Sequence, residues 1–138
     1  MTAVDDRPAP EIGQARKRKE DRRLITGRTR WTDNIQLPGM LHLAMVRSPF
    51  AHARITAIDT SEATSAPGVV AVFTGKDLED SQGVNINAWP ITADQVTPTR
   101  LPVVIDHVAC AGEIVAVVVA RSASAARDAA EKVDVDYD

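Results

Sequence analysis

Cysteine and aromatic residues are both scarce in this chain. Among 138 residues there is one cysteine, Cys110, and aromatic residues make up 4%. A single cysteine cannot form a disulfide within the chain, which excludes a disulfide-stabilised scaffold. No apolar run reaches the ~20 residues that span a bilayer, and the first ten residues are acidic and proline-rich, unlike a signal peptide. We therefore expect a cytoplasmic protein without a membrane span.

The sequence also lacks a recognisable catalytic constellation. The histidines His42, His52 and His107 are not spaced with other ligands as in metal sites. Cys110 and His107 are the residue types of a nucleophile and its base, but a thiol that only packs is the commoner case. Glycines do not cluster into a loop that could hold a phosphate. We therefore predict no catalytic, cofactor-binding or metal-binding residue in this chain.

Charge is distributed unevenly along the chain. Residues 1–30 carry nine basic and five acidic side chains, a charge of +4, and the total of −3 leaves −7 on the remainder. No second basic patch and no aromatic stacking pair accompany the basic segment, which argues against nucleic-acid binding. Docking on the acidic body or on another subunit is favoured instead, with Arg18, Arg22 and Arg23 as candidate interface residues.

Composition divides the chain into three segments. Residues 1–15 hold two prolines and few apolar residues, and we predict a disordered leader there. Residues 16–39 are predicted to form an extended basic arm, anchored only by Leu24 and Ile25. Residues 40–138 carry the alternating apolar patterns of a folded α/β domain.

Periodicity within residues 40–138 predicts a two-layer α/β sandwich with a mixed β-sheet and few helices. Leu41, Leu43 and Met45 should form the buried face of the first strand. The strand at 113–120 is too apolar to have a wet face, so it should lie beside the strand at 69–74 and beneath an alanine-striped helix. The predicted strands are 40–48, 53–59, 69–74, 113–120 and 133–138, and the predicted helices are 59–66 and 122–132.

Two further features indicate contacts with a partner. Residues 75–100 have no periodicity, and loops of that length in compact domains are usually functional or contact something. Trp89 is an apolar anchor within this loop and a candidate interface residue. Gly112 and Glu113 open the most apolar strand, where the carboxylate is either an interface group or a satisfied hydrogen-bond acceptor. We favour the interface role for both residues.

Several separate blocks resemble, in the same order, the large molybdenum-binding chain of the xanthine dehydrogenase, aldehyde oxidase and carbon monoxide dehydrogenase family. The first begins Glu20-Asp21-Arg22-Arg23 and the last ends Val135-Asp136-Tyr137. Together they span most of residues 16–138. The blocks are 20–27, 31–42, 46–55, 67–78, 112–118 and 129–137.

The resemblance implies that residues 40–138 are an α/β hammerhead domain. It implies an N-terminal structural and subunit-contacting domain of an oxidoreductase, inactive as this segment alone, whose molybdopterin and active-site glutamate belong to later parts of such a chain. The implied holoenzyme carries iron–sulfur (2Fe–2S) clusters and FAD in partner chains or domains. Expected partners are the remainder of the large chain and the iron–sulfur and flavin subunits. A stand-alone, non-catalytic adaptor of the same shape is the alternative.

Overall fold

A computed structural model of the chain describes residues 12–83, 92–96, 98 and 100–138. The chain divides into two compact units, one through Pro38 and the other from Gly39, next to the predicted boundary after residue 39. Residues 1–11 of the predicted leader lie outside the described residues. The same holds for residues 84–91, 97 and 99 of the predicted loop, and therefore for Trp89.

The first unit contains a short helix, α1, over Asp21–Ile25, and a 3-10 turn over Thr32–Asn34. Both elements lie within residues 16–39, the segment for which the sequence predicts an extended basic arm. A carboxylate oxygen of Asp21 accepts the backbone N–H of Arg18 at 3.0 Å and so stabilises the start of α1. Gly27, at φ +66°, follows the helix in the left-handed conformation that glycine adopts easily.

The described residues of the second unit form two three-stranded sheets and two helices. The first sheet has the order β1-β5-β3 and the second the order β4-β2-β6, and every described strand pair is antiparallel. The strands are β1 His42–Arg47, β2 Ala53–Asp59, β3 Val69–Thr74, β4 His107–Val108, β5 Ile114–Ala120 and β6 Asp134–Tyr137, and the helices are α2 Ser61–Thr64 and α3 Ala123–Ala130.

The α/β character of the predicted fold is confirmed, but the mixed sheet is wrong. Each helix connects strands of different sheets, since α2 joins β2 to β3 and α3 joins β5 to β6. Parallel pairing follows from a crossover only when both strands belong to one sheet. β4 was not expected, because a strand of two residues shows no periodicity.

Helix α3 lies close against the first sheet, as the alanine stripe predicts. Ser122 caps the helix, its hydroxyl oxygen accepting the backbone N–H of Ala125 at 3.1 Å. Ala126 and Ala129 are buried, and the helix packs on β1, β5 and β3. A methyl group added to Gly68, just before β3, would lie 3.3 Å from Cβ of Ala125 in α3. Only small residues therefore fit where these two segments meet.

The face of β1 that is turned inward is the opposite of the one expected. Leu41, Leu43 and Met45 are exposed, and the alternate residues, including Ala44 and Val46, are half-buried. Helix α3 packs on this sheet and covers the other face. The prediction that Leu41, Leu43 and Met45 are buried is therefore wrong.

A second cluster of apolar residues connects the start of β5 to the second sheet. Its buried members are Ala53, Val104, Val108 and Val115, with Val46, Ile55, Val135 and Tyr137 packed around them. The ring centroids of Phe50 and Tyr137 lie 5.0 Å apart at one side. Val135 and Tyr137 of β6 therefore face inward.

Among the helices of the described residues, none has both the length and the apolar character needed to pass through a membrane.

Candidate interface surfaces

Gly112 and Glu113 lie together in the tight turn that precedes β5. Gly112 has φ +89°, a left-handed conformation that favours glycine. Its N–H donates to the carbonyl of Ser48 at 2.9 Å, and the N–H of Ser48 donates to the carbonyl of Glu113 at 2.9 Å. These two bonds connect the turn to the end of β1, and Ser48 is buried between them.

The Glu113 carboxylate is held by groups of its own chain. Oε2 accepts a hydrogen bond from the backbone N–H of Ala109 at 2.6 Å, and Oε1 accepts one from Nη1 of Arg100 at 2.9 Å. Burial raises the pKa of Glu113, but the hydrogen bonds from the turn and the charge of Arg100 outweigh it, so the pKa lies below its ordinary value. The carboxylate is thus a satisfied acceptor in the structure, and its role at an interface stays a prediction.

Arg100 connects this carboxylate to the thiol of Cys110. Its Nη1 also lies 3.3 Å from Sγ of Cys110, which is exposed. The Cys110 contact, with the nearby Glu113, raises the pKa of the Arg100 guanidinium. The adjoining groove of about 270 Å³ is lined by Arg100 and Glu113, which form an ion pair, and by Asp106, whose Oδ1 lies 2.7 Å from Nδ1 of His107. This arrangement braces the turn.

The described residues do not form a metal centre. Across residues 12–83, 92–96, 98 and 100–138, no group of three His, Cys, Asp or Glu side chains could hold a metal ion. Iron–sulfur clusters of the 2Fe–2S type take four ligands, usually cysteines, and the whole sequence has one. A single cysteine does not supply the ligands of such a cluster.

Arg18, Arg22 and Arg23 lie in the first unit, and all three are exposed. The same unit also exposes apolar side chains, namely Ile25, Trp31, Ile35 and Leu37. Exposed apolar residues beside basic ones are typical of a surface that binds a partner. Trp89, the remaining predicted interface residue, lies outside the described residues.

The sequence interpretation did not predict that the first sheet leaves an apolar surface exposed. Strand register places Val119 between Leu43 and Ala71, and Val117 between Met45 and Phe73, so these side chains share one face in two rows. Leu43 is 55% exposed, Met45 47% and Phe73 38%. We call these six residues the uncovered face. Its sequence signal is that β5 is apolar at every position, which is typical of a strand buried on both sides.

Comparison with known families matches residues 26–138 to the aldehyde oxidase and xanthine dehydrogenase a/b hammerhead domain. The chain therefore belongs to this family, as the resemblance of its sequence blocks predicts.

Similar proteins are large chains of oxidoreductases. The chain is 42% identical to the carbon monoxide dehydrogenase large chain of Afipia carboxidovorans and 41% identical to the nicotine 6-hydroxylase large subunit of Paenarthrobacter nicotinovorans, each over 92% of its length. A solved structure, quinoline 2-oxidoreductase from Pseudomonas putida 86, matches with a TM-score of 0.74 at 41% identity, over 92% of this chain and 16% of that one. This chain spans 15% of the length of each of the two relatives.

Proposed function

We propose that this chain is the N-terminal structural and subunit-contacting domain of a molybdenum hydroxylase or carbon monoxide dehydrogenase-like large chain. The similarity to 15% of two such large chains, at 41% and 42% identity, carries this proposal. The whole protein would be a cytoplasmic oxidoreductase using molybdopterin, with electrons leaving through 2Fe–2S clusters and FAD of partner subunits or domains. Catalysis would depend on residues outside this segment.

The contacts of the described residues favour a structural role over a catalytic one. Glu113 and Arg100 satisfy each other, and Asp106 pairs with His107. What the chain offers instead is exposed apolar and basic surface in its first unit and an apolar sheet face in its second. Such surfaces suit contacts with other polypeptide.

The size and metal content of the native protein test this proposal. An antibody raised against the 138 residues should detect a polypeptide several times longer, which co-purifies with molybdenum, iron and flavin. A native polypeptide of 138 residues without these cofactors would instead favour the stand-alone adaptor.

The candidate interface residues are part of the same proposal. We expect Arg18, Arg22, Arg23 and Trp89 to contact the remainder of the large chain or the iron–sulfur and flavin subunits, with Gly112 and Glu113 shaping a turn at the contact. Hydrogen exchange in the assembled enzyme and in the isolated 138 residues tests this expectation. Equal protection of residues 16–39 and 75–100 in both samples would exclude the contact role.

A further inference from the structure

The uncovered face of the first sheet has the composition of a permanent interface. Leu43, Met45, Val117, Val119, Ala71 and Phe73 carry no charge, and their side chains offer a single weak hydrogen-bond acceptor, Sδ of Met45. In a sheet, neighbouring strands are about 4.8 Å apart, so two rows across three strands form one continuous apolar surface. Apolar surfaces of this kind on a folded domain usually mark a contact.

A cation lies at the edge of this face. Nη2 of Arg47 lies 3.3 Å from Sδ of Met45, and its Nη1 donates to the carbonyl of Gly112 at 2.6 Å. Arg47 therefore connects the uncovered face to the turn of Gly112 and Glu113. An apolar centre with arginine at its margin is a common arrangement of protein interfaces.

Two observations indicate which polypeptide covers this face: the apolar composition of the face and the length of the relatives. A separate subunit has to stay soluble before it assembles, and exchangeable interfaces are therefore more polar than permanent ones. The two relatives reported above extend far beyond the matched segment, which is 15% of their length. Polypeptide tethered to this domain would meet the face at a high effective concentration, which favours contact within one chain.

We infer that the uncovered face is buried by a later domain of the same large chain, through an apolar surface of its own. This inference rests on the proposed function, since it requires that the native polypeptide continues beyond the hammerhead domain. It assigns the face to contact within the large chain, and it leaves the exposed arm available for separate subunits.

Thiol labelling in the native, full-length polypeptide tests the inference. In a Cys110→Ser background with any other reactive thiols removed, Met45→Cys places a reporter on the uncovered face. Asp128→Cys places a matched reporter on α3, where Asp128 is exposed. We expect Met45→Cys to react about tenfold or more slowly than Asp128→Cys, because labelling then requires local opening. In the isolated 138 residues the two should react at similar rates.

Three outcomes would overturn the inference. Equal reactivity of the two reporters in the full-length protein would show that the face stays open, while molybdenum content and length could still support the proposed function. A second outcome is that Met45→Cys in the isolated chain is more strongly protected at higher protein concentration, with a dimer that Met45→Asp dissociates. That result would assign the face to a second copy of the chain. Protection there that is independent of concentration and lost on deletion of residues 1–38 would assign it to the chain's own arm.

Discussion

The two faces of the β1-β5-β3 sheet differ in residue size and in cover. On the covered face, Ala116, Val118 and Ala120 are fully buried, and the alanines of α3 pack above the sheet. On the uncovered face, the larger side chains of Leu43 and Met45 remain about half exposed. Small residues allow the helix to approach closely, so the domain completes one side of the sheet with its own elements. The other side carries the larger apolar side chains, and we infer that other polypeptide contacts them.

Adjacent valines on β5 give the sharpest test of this difference. Val118→Asp should reduce the free energy of unfolding by about 4 kcal/mol, because the carboxylate would be buried without a partner. Val119→Asp, one position along and on the half-buried uncovered face, should cost about 1 kcal/mol in the isolated chain. Urea denaturation followed by circular dichroism measures both values.

A loss of equal size for the two valines would contradict the assignment of the faces. Val118→Ala and Val119→Ala serve as controls, since they remove volume without adding charge. If Val119→Asp is mild in the isolated chain but severe in the full-length protein, the comparison is sharpened, because the second face is then buried only in the larger protein.

Local signals in the sequence were sufficient for single elements. The predicted strand over residues 69–74 coincides with β3, and the predicted helix over residues 122–132 contains α3. Alternation, capping and small-residue spacing all act between neighbours in the sequence, so one chain displays them.

Relations between distant residues were not predictable in the same way. The bulge in β2 between Ile55 and Ala57 changes which side chains point inward, and Ile58 becomes half-buried while Ala57 is exposed. The partner of Glu113 is Arg100, from a segment without periodicity. Alternation in β1 correctly identified an apolar face, but only the position of α3 shows which face this domain covers itself.

Helix α3 provides a second test, through residue size. Ala126→Leu should cost about 2 kcal/mol, because the helix lies too close to the sheet to admit a larger side chain. Ala71→Leu enlarges an alanine on the uncovered face and should stay within about 0.5 kcal/mol of the parent in the isolated chain. Thermal unfolding of both variants checks the expectation. A neutral Ala126→Leu would mean that the helix packs more loosely than the structure indicates.

The turn at the margin of the uncovered face should tolerate less change than an open loop. Gly112→Ala forces a Cβ atom into the left-handed conformation and should cost about 1 kcal/mol, although no atom lies within 4 Å of the added methyl group. Gly83→Ala is the matched control, because a methyl group added there also has no atom of the described residues within 4 Å, and Gly83 has no positive φ. Denaturant midpoints that shift equally for both variants would show that backbone conformation does not matter at this turn.

The smallest expected effect concerns the carboxylate that braces the same turn, and it depends on pH. The pKa of Glu113 is lower in the folded chain than its ordinary value of 4.5. A group with a lowered folded pKa stabilises the fold above its unfolded pKa, and that contribution disappears as the pH falls through the folded pKa. Glu113→Gln should therefore be less stable than the parent at neutral pH, and the difference should shrink below about pH 5.

Urea unfolding of parent and variant across this pH range measures the difference directly, and other titrating groups largely cancel in the subtraction. Glu79→Gln controls for the loss of one negative charge, since Glu79 is exposed and its carboxylate accepts no hydrogen bond among the described residues. Its difference from the parent should be smaller at neutral pH. A Glu113→Gln difference that stays constant down to acid pH would mean that the bonds from Ala109 and Arg100 do not favour the ionised carboxylate. The turn would then be held by its backbone bonds to Ser48 and by the bond from Arg47 to the carbonyl of Gly112.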